Sequence, residues 1–171
     1  MQVQVRHAMS DDAAAIAAVH VCSWQVAYRG LVPDELLDQL SVAQRETVWR
    51  DALTAERPPA VLVATSDGVV VGFCAIGTPS RDADANGQVA EIRAIYVDPD
   101  MWRRGVGRAL LKVALADLRA ADWHAVTLWV AAENQRARDF YAQFGLKPDG
   151  AQMTDEHSGL PEVRLRVALT P

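Results

Sequence analysis

Cysteine is scarce: Cys22 and Cys74 are the only two in 171 residues. A small fold held by cross-links needs more, so a disulfide framework is excluded. Each cysteine sits in an apolar run, which marks a buried thiol rather than a metal ligand, and no metal is expected. Long apolar runs are missing as well. No stretch reaches the roughly 18 residues of a membrane helix. The first ten residues, MQVQVRHAMS, have neither the basic start nor the apolar middle of a secretion signal. Basic excess is also absent: 17 Lys+Arg face 22 Asp+Glu, a formal −5, which argues against a general nucleic-acid binder. There is no internal repeat, low-complexity tract or linker. What is present is a chain that is 50% apolar and 23% charged, the balance of a globular protein. Its length suits one domain over residues 1–171, large enough to bury roughly 70% of its unfolded surface. A soluble, cytoplasmic protein with no membrane or nucleic-acid partner is the expectation.

The hydrophobic period changes along the chain. Residues 3–7 alternate and read as a strand. Ser10-Asp11-Asp12 offers capping groups for a helix to about Tyr28, which Gly30 stops. Pro33 opens a short helical turn through Leu37. Ser41, with Gln44 three residues on, caps a helix to about Glu56. Residues 60–65 and 69–76 are apolar runs joined by Ser66-Asp67-Gly68, a hairpin signal, because Asp-Gly accepts the positive φ angles of a tight turn. A polar loop follows over 79–87. Residues 89–97 read as a longer strand, 108–120 as a helix with Leu111, Leu115 and Leu118 on one stripe, and 124–131 as a strand. Asn134 caps a helix whose Ala137, Phe140, Tyr141 and Phe144 recur at helical spacing, and Gly145 ends it. Two last strands, 147–154 and 161–169, flank the loop 155–159. The alternation predicts one α/β domain with a central mixed sheet flanked by helices.

The segment between the 89–97 strand and the next helix, Asp98-Pro99-Asp100-Met101-Trp102-Arg103-Arg104-Gly105-Val106-Gly107-Arg108-Ala109, carries the most chemistry. Two glycines two apart let a phosphate approach the amides at a helix N-terminus, where the dipole also favours an anion. Arg103, Arg104, Arg108 and Lys112 place four positive charges over 103–112, so the remaining residues carry a formal −9. A cationic spot on an acidic chain points to a specific polyanion. A dinucleotide fingerprint would need glycine where Leu110 stands, and a Walker loop would need Lys-Ser/Thr where Arg108-Ala109 stands.

Arg-Arg-Gly-Val-Gly-Arg-Ala-Leu after Ile95-Tyr96-Val97-Asp98-Pro99 resembles the acetyl-CoA loop of the GCN5-related N-acetyltransferase (GNAT) superfamily. Asn134-Gln135-Arg136-Ala137-Arg138-Asp139-Phe140-Tyr141-Ala142-Gln143-Phe144-Gly145-Leu146 resembles that family's second cofactor segment. The resemblance is sharp over about 88–146. It implies the GNAT fold and an enzyme that transfers acetyl from acetyl-CoA to an amine. The backbone of Ile95, Tyr96 and Val97 would hold the pantetheine arm. The backbone amides of Arg104, Gly105, Val106, Gly107 and Arg108 would hold the pyrophosphate, Asn134, Phe140 and Tyr141 would lie along the arm, and Arg103, Ala109 and Arg136 would be further cofactor-binding residues. One position departs from the pattern: Trp102 stands where the family has Gln or Arg. A second class on the same fold, a non-catalytic acyl-CoA-binding module, would keep the loop without the catalytic groups.

Acyl transfer to a basic amine has two proton demands. Freeing an amine with a pKa near 10.4 at pH 7 costs about 4.6 kcal/mol, and a thiolate leaving group with a pKa near 8.5 needs about 2 kcal/mol. Tyr141 is the candidate acid, placed near the coenzyme sulfur by the resemblance; alone, its spacing reads as a core aromatic. Glu91 is the candidate base, because a carboxylate in an apolar strand is costly unless paired or used; its alternative is an ion pair with Arg93. His157 is another candidate base. Trp24 and Tyr28, in helical register with His20, are candidate acceptor-binding residues or core packing, and Trp129 either packs under a helix or faces the acceptor. Neither cysteine has an activating neighbour, so direct transfer is expected. The acceptor is an amine on a small molecule or peptide, and the acidic helical stretch before the hairpin hints at a cationic one. The last strands offer an edge for a homodimer.

Overall fold

The computed structural model describes residues 2–169; positions 1, 170 and 171 of the expected 1–171 domain lie outside the described residues. The elements run β1 (Val3–His7), α1 (Ala13–Ala27), α2 (Asp34–Asp38), α3 (Val42–Thr54), β2 (Ala60–Ser66), β3 (Val69–Gly77), β4 (Val89–Val97), α4 (Val106–Ala120), β5 (Ala125–Ala131), α5 (Gln135–Ala142), β6 (Lys147–Thr154) and β7 (Pro161–Ala168). The strand order is β1-β2-β3-β4-β5-β7-β6, a mixed α/β sheet as the sequence predicts. No helix among the described residues is long and apolar enough to cross a membrane.

The described residues form two compact units, 2–76 with 94–114, and 77–93 with 115–169. In the first, β1, β2 and β3 are antiparallel neighbours. The β2–β3 hairpin turns through Asp67 and Gly68 with φ of 51° and 82°, the paired left-handed turn that Asp-Gly suits. Adjacent residues of β3 face opposite sides. Phe73, fully buried, packs with Ile16 and Val19 of α1 and with Val61 and Val63 of β2. Gly72 lies under the start of α4: a Cβ there would meet Val106 at 3.0 Å, Leu110 at 3.1 Å and the Tyr96 carbonyl at 3.1 Å.

In the second unit β4 pairs parallel with β5 at Val89–Glu91 against Ala125–Thr127. β5 pairs antiparallel with β7 along its whole length, and β7 with β6. Leu115, Leu118, Val126, Leu128, Tyr141, Leu146 and Leu165 are buried there.

Three of the boundaries that differ from the sequence reading have a visible cause. Ser10–Asp12 is a 3-10 turn that ends on Asp12, the N-cap residue of α1, whose carboxylate does not cap α1 but reaches back to Met9 N at 2.7 Å and pairs with Arg6 at 2.7 and 2.9 Å. This ion pair holds the Asp12 carboxyl below its usual range. The second helix covers Asp34–Asp38, because Pro33 supplies its cap position. Helix α4 starts at Val106, two residues before Arg108, since Val106 and Leu110 form its buried anchor one turn apart.

Candidate active site

In the first unit the loop is built at the exit of β4. Ile95, Tyr96 and Val97 are half-buried. Asp98 N donates to Val71 O at 2.9 Å, and the Asp98 carboxylate accepts from Asp100 N at 2.9 Å, turning the chain through Pro99–Met101. Trp102 folds back, its Nε1 donating to Val97 O at 2.9 Å. Arg103 (φ 62°) and Gly105 (φ 84°) are both left-handed. The ladder of α4 opens with Ala109 N to Gly105 O at 2.9 Å. The amides of Gly105 to Arg108 thus precede the first intrahelical donor, Ala109 N, and are the groups that a helix start turns toward an anion. Arg103, Arg104 and Arg108 are exposed around them, and Val106 is buried beneath. The glycine that makes the turn is Gly105, while Gly107 lies inside the first turn of α4.

Trp24 and Tyr28 lie in an aromatic group of the same unit. Their rings are 4.6 Å apart, and Trp24 is 6.5 Å from Tyr96. His20 stacks on Tyr96 at 5.1 Å and accepts the Trp49 indole N–H on Nδ1 at 3.2 Å. Burial, with Arg45 nearby, lowers the His20 pKa to about 4, so the ring is neutral at pH 7. Trp24 Nε1 is the buried side-chain atom without a hydrogen-bond partner among the described residues. On α2, Asp34 and Asp38 pair with Arg29 at 3.2 and 3.1 Å.

In the second unit Glu91 is 2% exposed. Its Oε1 accepts from Arg81 Nη2 at 2.8 Å, and its Oε2 from Arg81 Nε at 3.1 Å and Arg81 N at 3.2 Å. Arg93 Nε stands 3.7 Å off, crossing the space that Gly77 leaves open. Burial alone would raise the Glu91 pKa; the bonds from Arg81 outweigh it and hold the carboxyl below its usual value. Glu91 is therefore an ionised, guanidinium-bound carboxylate, and Arg81 rather than Arg93 is its main partner.

Trp129 is likewise engaged. Its Nε1 donates to Asp82 Oδ1 at 2.9 Å, and the Arg164 guanidinium lies 5.6 Å from its ring centre. Arg164 is 7% exposed and binds Asp84 twice at 2.6 Å, Asp149 at 2.8 Å and Asp82 at 3.2 Å. This clasp ties the 79–87 loop to β7, and sequence reasoning missed it, because no local pattern pairs residues 80 positions apart. On α5, Asn134 caps the helix by accepting from Ala137 N at 3.1 Å. Tyr141 is buried against Phe140 at 5.2 Å, and Arg136 is exposed. His157 is exposed in the β6–β7 loop.

A further group went unread: the Glu162 carboxyl on β7, raised to about 7 by burial and then by Asp155. The argument that singled out Glu91, a carboxylate in an apolar strand, applies equally to it. The thiols are unsuited to nucleophilic work. Burial pushes the Cys74 pKa to about 12, and burial with Asp98 raises that of Cys22.

Comparison with known proteins agrees with this architecture. The model of the acetyltransferase (GNAT) family matches residues 22–146. The uncharacterized N-acetyltransferase YuaI of Bacillus subtilis is 33% identical over 133 residues, 77% of this chain and 73% of that one. The L-amino acid N-acyltransferase MnaT of Escherichia coli is 29% identical over 84% of this chain and 78% of its own. Among solved structures, the PaiA N-acetyltransferase of Thermoplasma acidophilum in complex with coenzyme A shares the fold, with a TM-score of 0.74 over 98% of this chain and 99% of that one at 18% identity. With a family match over most of its length and a relative one-third identical, the chain belongs to the acetyltransferase (GNAT) family, a family of N-acyltransferases whose donor is acetyl-CoA.

Proposed function

We propose that this chain binds acetyl-CoA through the loop after β4 and acetylates a primary amine of a small molecule or peptide by direct transfer. The observation that carries the reading is the helix start at Val106, preceded by left-handed Arg103 and Gly105 and ringed by exposed arginines. Such a cradle fits a diphosphate, through amides, dipole and charge together. The backbone of Ile95 to Val97 and, on α5, Asn134, Arg136, Phe140 and Tyr141 are the further coenzyme contacts in this reading. The bound thioester supplies the acetyl group.

The chain's own residues then manage protons. Tyr141 holds the proton that the leaving sulfur takes up. Glu91, kept ionised by Arg81, receives the proton that the amine sheds, directly or through water. Its low basicity leaves the supply of neutral amine, about 4.6 kcal/mol at pH 7 for a lysine-like group, to set the pH profile. Trp24, Tyr28 and Trp129 are the proposed acceptor-lining aromatics. The relative named as an L-amino acid N-acyltransferase makes L-amino acids the first acceptors to try.

Thermal melting with and without acetyl-CoA, beside a thiol-release assay on a panel of amines, tests the reading. Wild type should melt higher with acetyl-CoA, and Gly107→Trp should abolish that shift while melting normally alone. No shift in the folded wild type would end the assignment of the coenzyme to this loop.

A further inference from the structure

One carbonyl at the exit of β4 carries two side-chain donors. Val97 O accepts from Trp102 Nε1 at 2.9 Å and from Ser23 Oγ, on α1, at 2.9 Å. A carbonyl oxygen has two lone pairs, so both are engaged. Ser23 is 2% exposed and Trp102 half-buried, so the Ser23 bond lies away from water and the indole bond is partly shielded. The following residues are tied as closely: Met101 N donates to Asp98 O at 2.8 Å, and Trp102 N to Pro99 O at 3.2 Å. Immediately after Trp102 the chain enters the left-handed region at Arg103, φ 62°. For a residue with a Cβ that conformation is strained, and it persists only where its surroundings over-determine it. The indole anchor lies one residue upstream.

We propose that Trp102 is a positioning residue for the coenzyme: with Ser23 it pins the Val97 carbonyl and so sets the path through Arg103 that aims the amides of Gly105 to Arg108. This rests on the reading that the loop holds the diphosphate of acetyl-CoA. It accounts for the one departure from the loop pattern. Gln or Arg at that position has a polar end free to meet a ligand, whereas Trp102 has one N–H and spends it on the backbone. Val97 O is correspondingly withdrawn from the pantetheine arm, which leaves Ile95 and Tyr96 as the β4 residues whose carbonyls can serve it.

The test compares wild type, Trp102→Phe, Ser23→Ala and the double variant. Coenzyme A binding is followed by calorimetry, the steady-state constants with acetyl-CoA are measured, and unliganded melting is recorded. Phe keeps the ring and removes the donor. One hydrogen bond corresponds to a factor of about 2 to 12 in an equilibrium constant. Trp102→Phe should therefore raise the coenzyme A Kd and the acetyl-CoA KM by about 5- to 10-fold, with kcat and the acceptor KM within about twofold of wild type. Ser23→Ala should do the same more weakly, about threefold. A wild-type Kd in Trp102→Phe, with or without a lowered melting temperature, overturns the proposal. Should that variant not fold, a wild-type Kd in Ser23→Ala overturns it. Folded wild type that binds no coenzyme A would instead bring down the underlying reading, a different result from variants that bind as tightly as wild type.

Discussion

Glu91 and Glu162 both lie in strands rich in apolar residues, yet burial acts on them with opposite net results. Burial raises both, but Arg81 donates three hydrogen bonds to Glu91 and reverses the sign, whereas Glu162 faces Asp155, which adds to the rise and brings it to about 7. Glu91, held below its ordinary value by Arg81, is already ionised and adds no titration limb at neutral or basic pH. Glu91→Gln is thus expected to lower kcat by about 10- to 100-fold without moving the pH profile, which should follow the acceptor amine. A profile that shifts with this substitution, or an unchanged kcat, would take Glu91 out of proton transfer. For Glu162 the effect falls on stability. Its folded pKa of about 7 exceeds an unfolded value near 4.5, so between those limits the folded state binds the extra proton and stability falls as pH rises. Glu162→Gln should therefore raise the melting temperature at pH 8 and change it little at pH 4. An equal change at both pH values would show that ionisation is not its cause.

Helix α4 shows what an element needs in order to hold a ligand loop. Its first turn is pressed onto β3 at Gly72, where a Cβ would meet Val106, Leu110 and the Tyr96 carbonyl at 3.0–3.1 Å. Two of these neighbours are buried side chains and the third is backbone, so none yields cheaply. Gly72→Ala is expected to cost about 1–3 kcal/mol, measured by denaturant unfolding, and to weaken coenzyme A binding as Val106 is lifted. Full stability with full affinity would mean that the first turn tolerates displacement. This contact also marks the limit of what the sequence reveals. Hairpin and caps were legible because Asp67-Gly68, Ser41, Asn134 and Gly145 act locally: the first pair and Gly145 take positive φ, and the side chains of Ser41 and Asn134 accept from the third residue on. Helix α4 starts two residues before the sequence reading has it, where the buried Val106 anchors the first turn. Gly72 read only as part of a strand, and the partners of Arg164 were invisible, since their approach depends on pairing between distant segments. For the same reason Glu91 was legible as an anomaly, while Arg81 as its partner was not.

On the scale of the whole molecule, charge sets the terms on which a polyanion is met. The chain is −5 overall, yet residues 103–112 carry four positive charges and everything else a formal −9. A coenzyme with several phosphate charges is thus repelled at long range and attracted over the last few ångströms. Arg103, Arg104 and Arg108 are exposed, so their attraction is open to screening, whereas the amides at the start of α4 act through contact. The two contributions separate with salt. Arg104→Glu should weaken coenzyme A binding by about tenfold or more at about 0.05 M NaCl, because it reverses a charge beside the proposed diphosphate site. The gap from wild type should narrow to about twofold near 1 M, where the Debye length is about 3 Å. Titrations of both proteins across that range decide the matter. If the gap stays constant with salt, Arg104 acts by holding the left-handed turn of its neighbours rather than by charge, and the electrostatic part of the cradle falls to Arg103, Arg108 and the helix dipole.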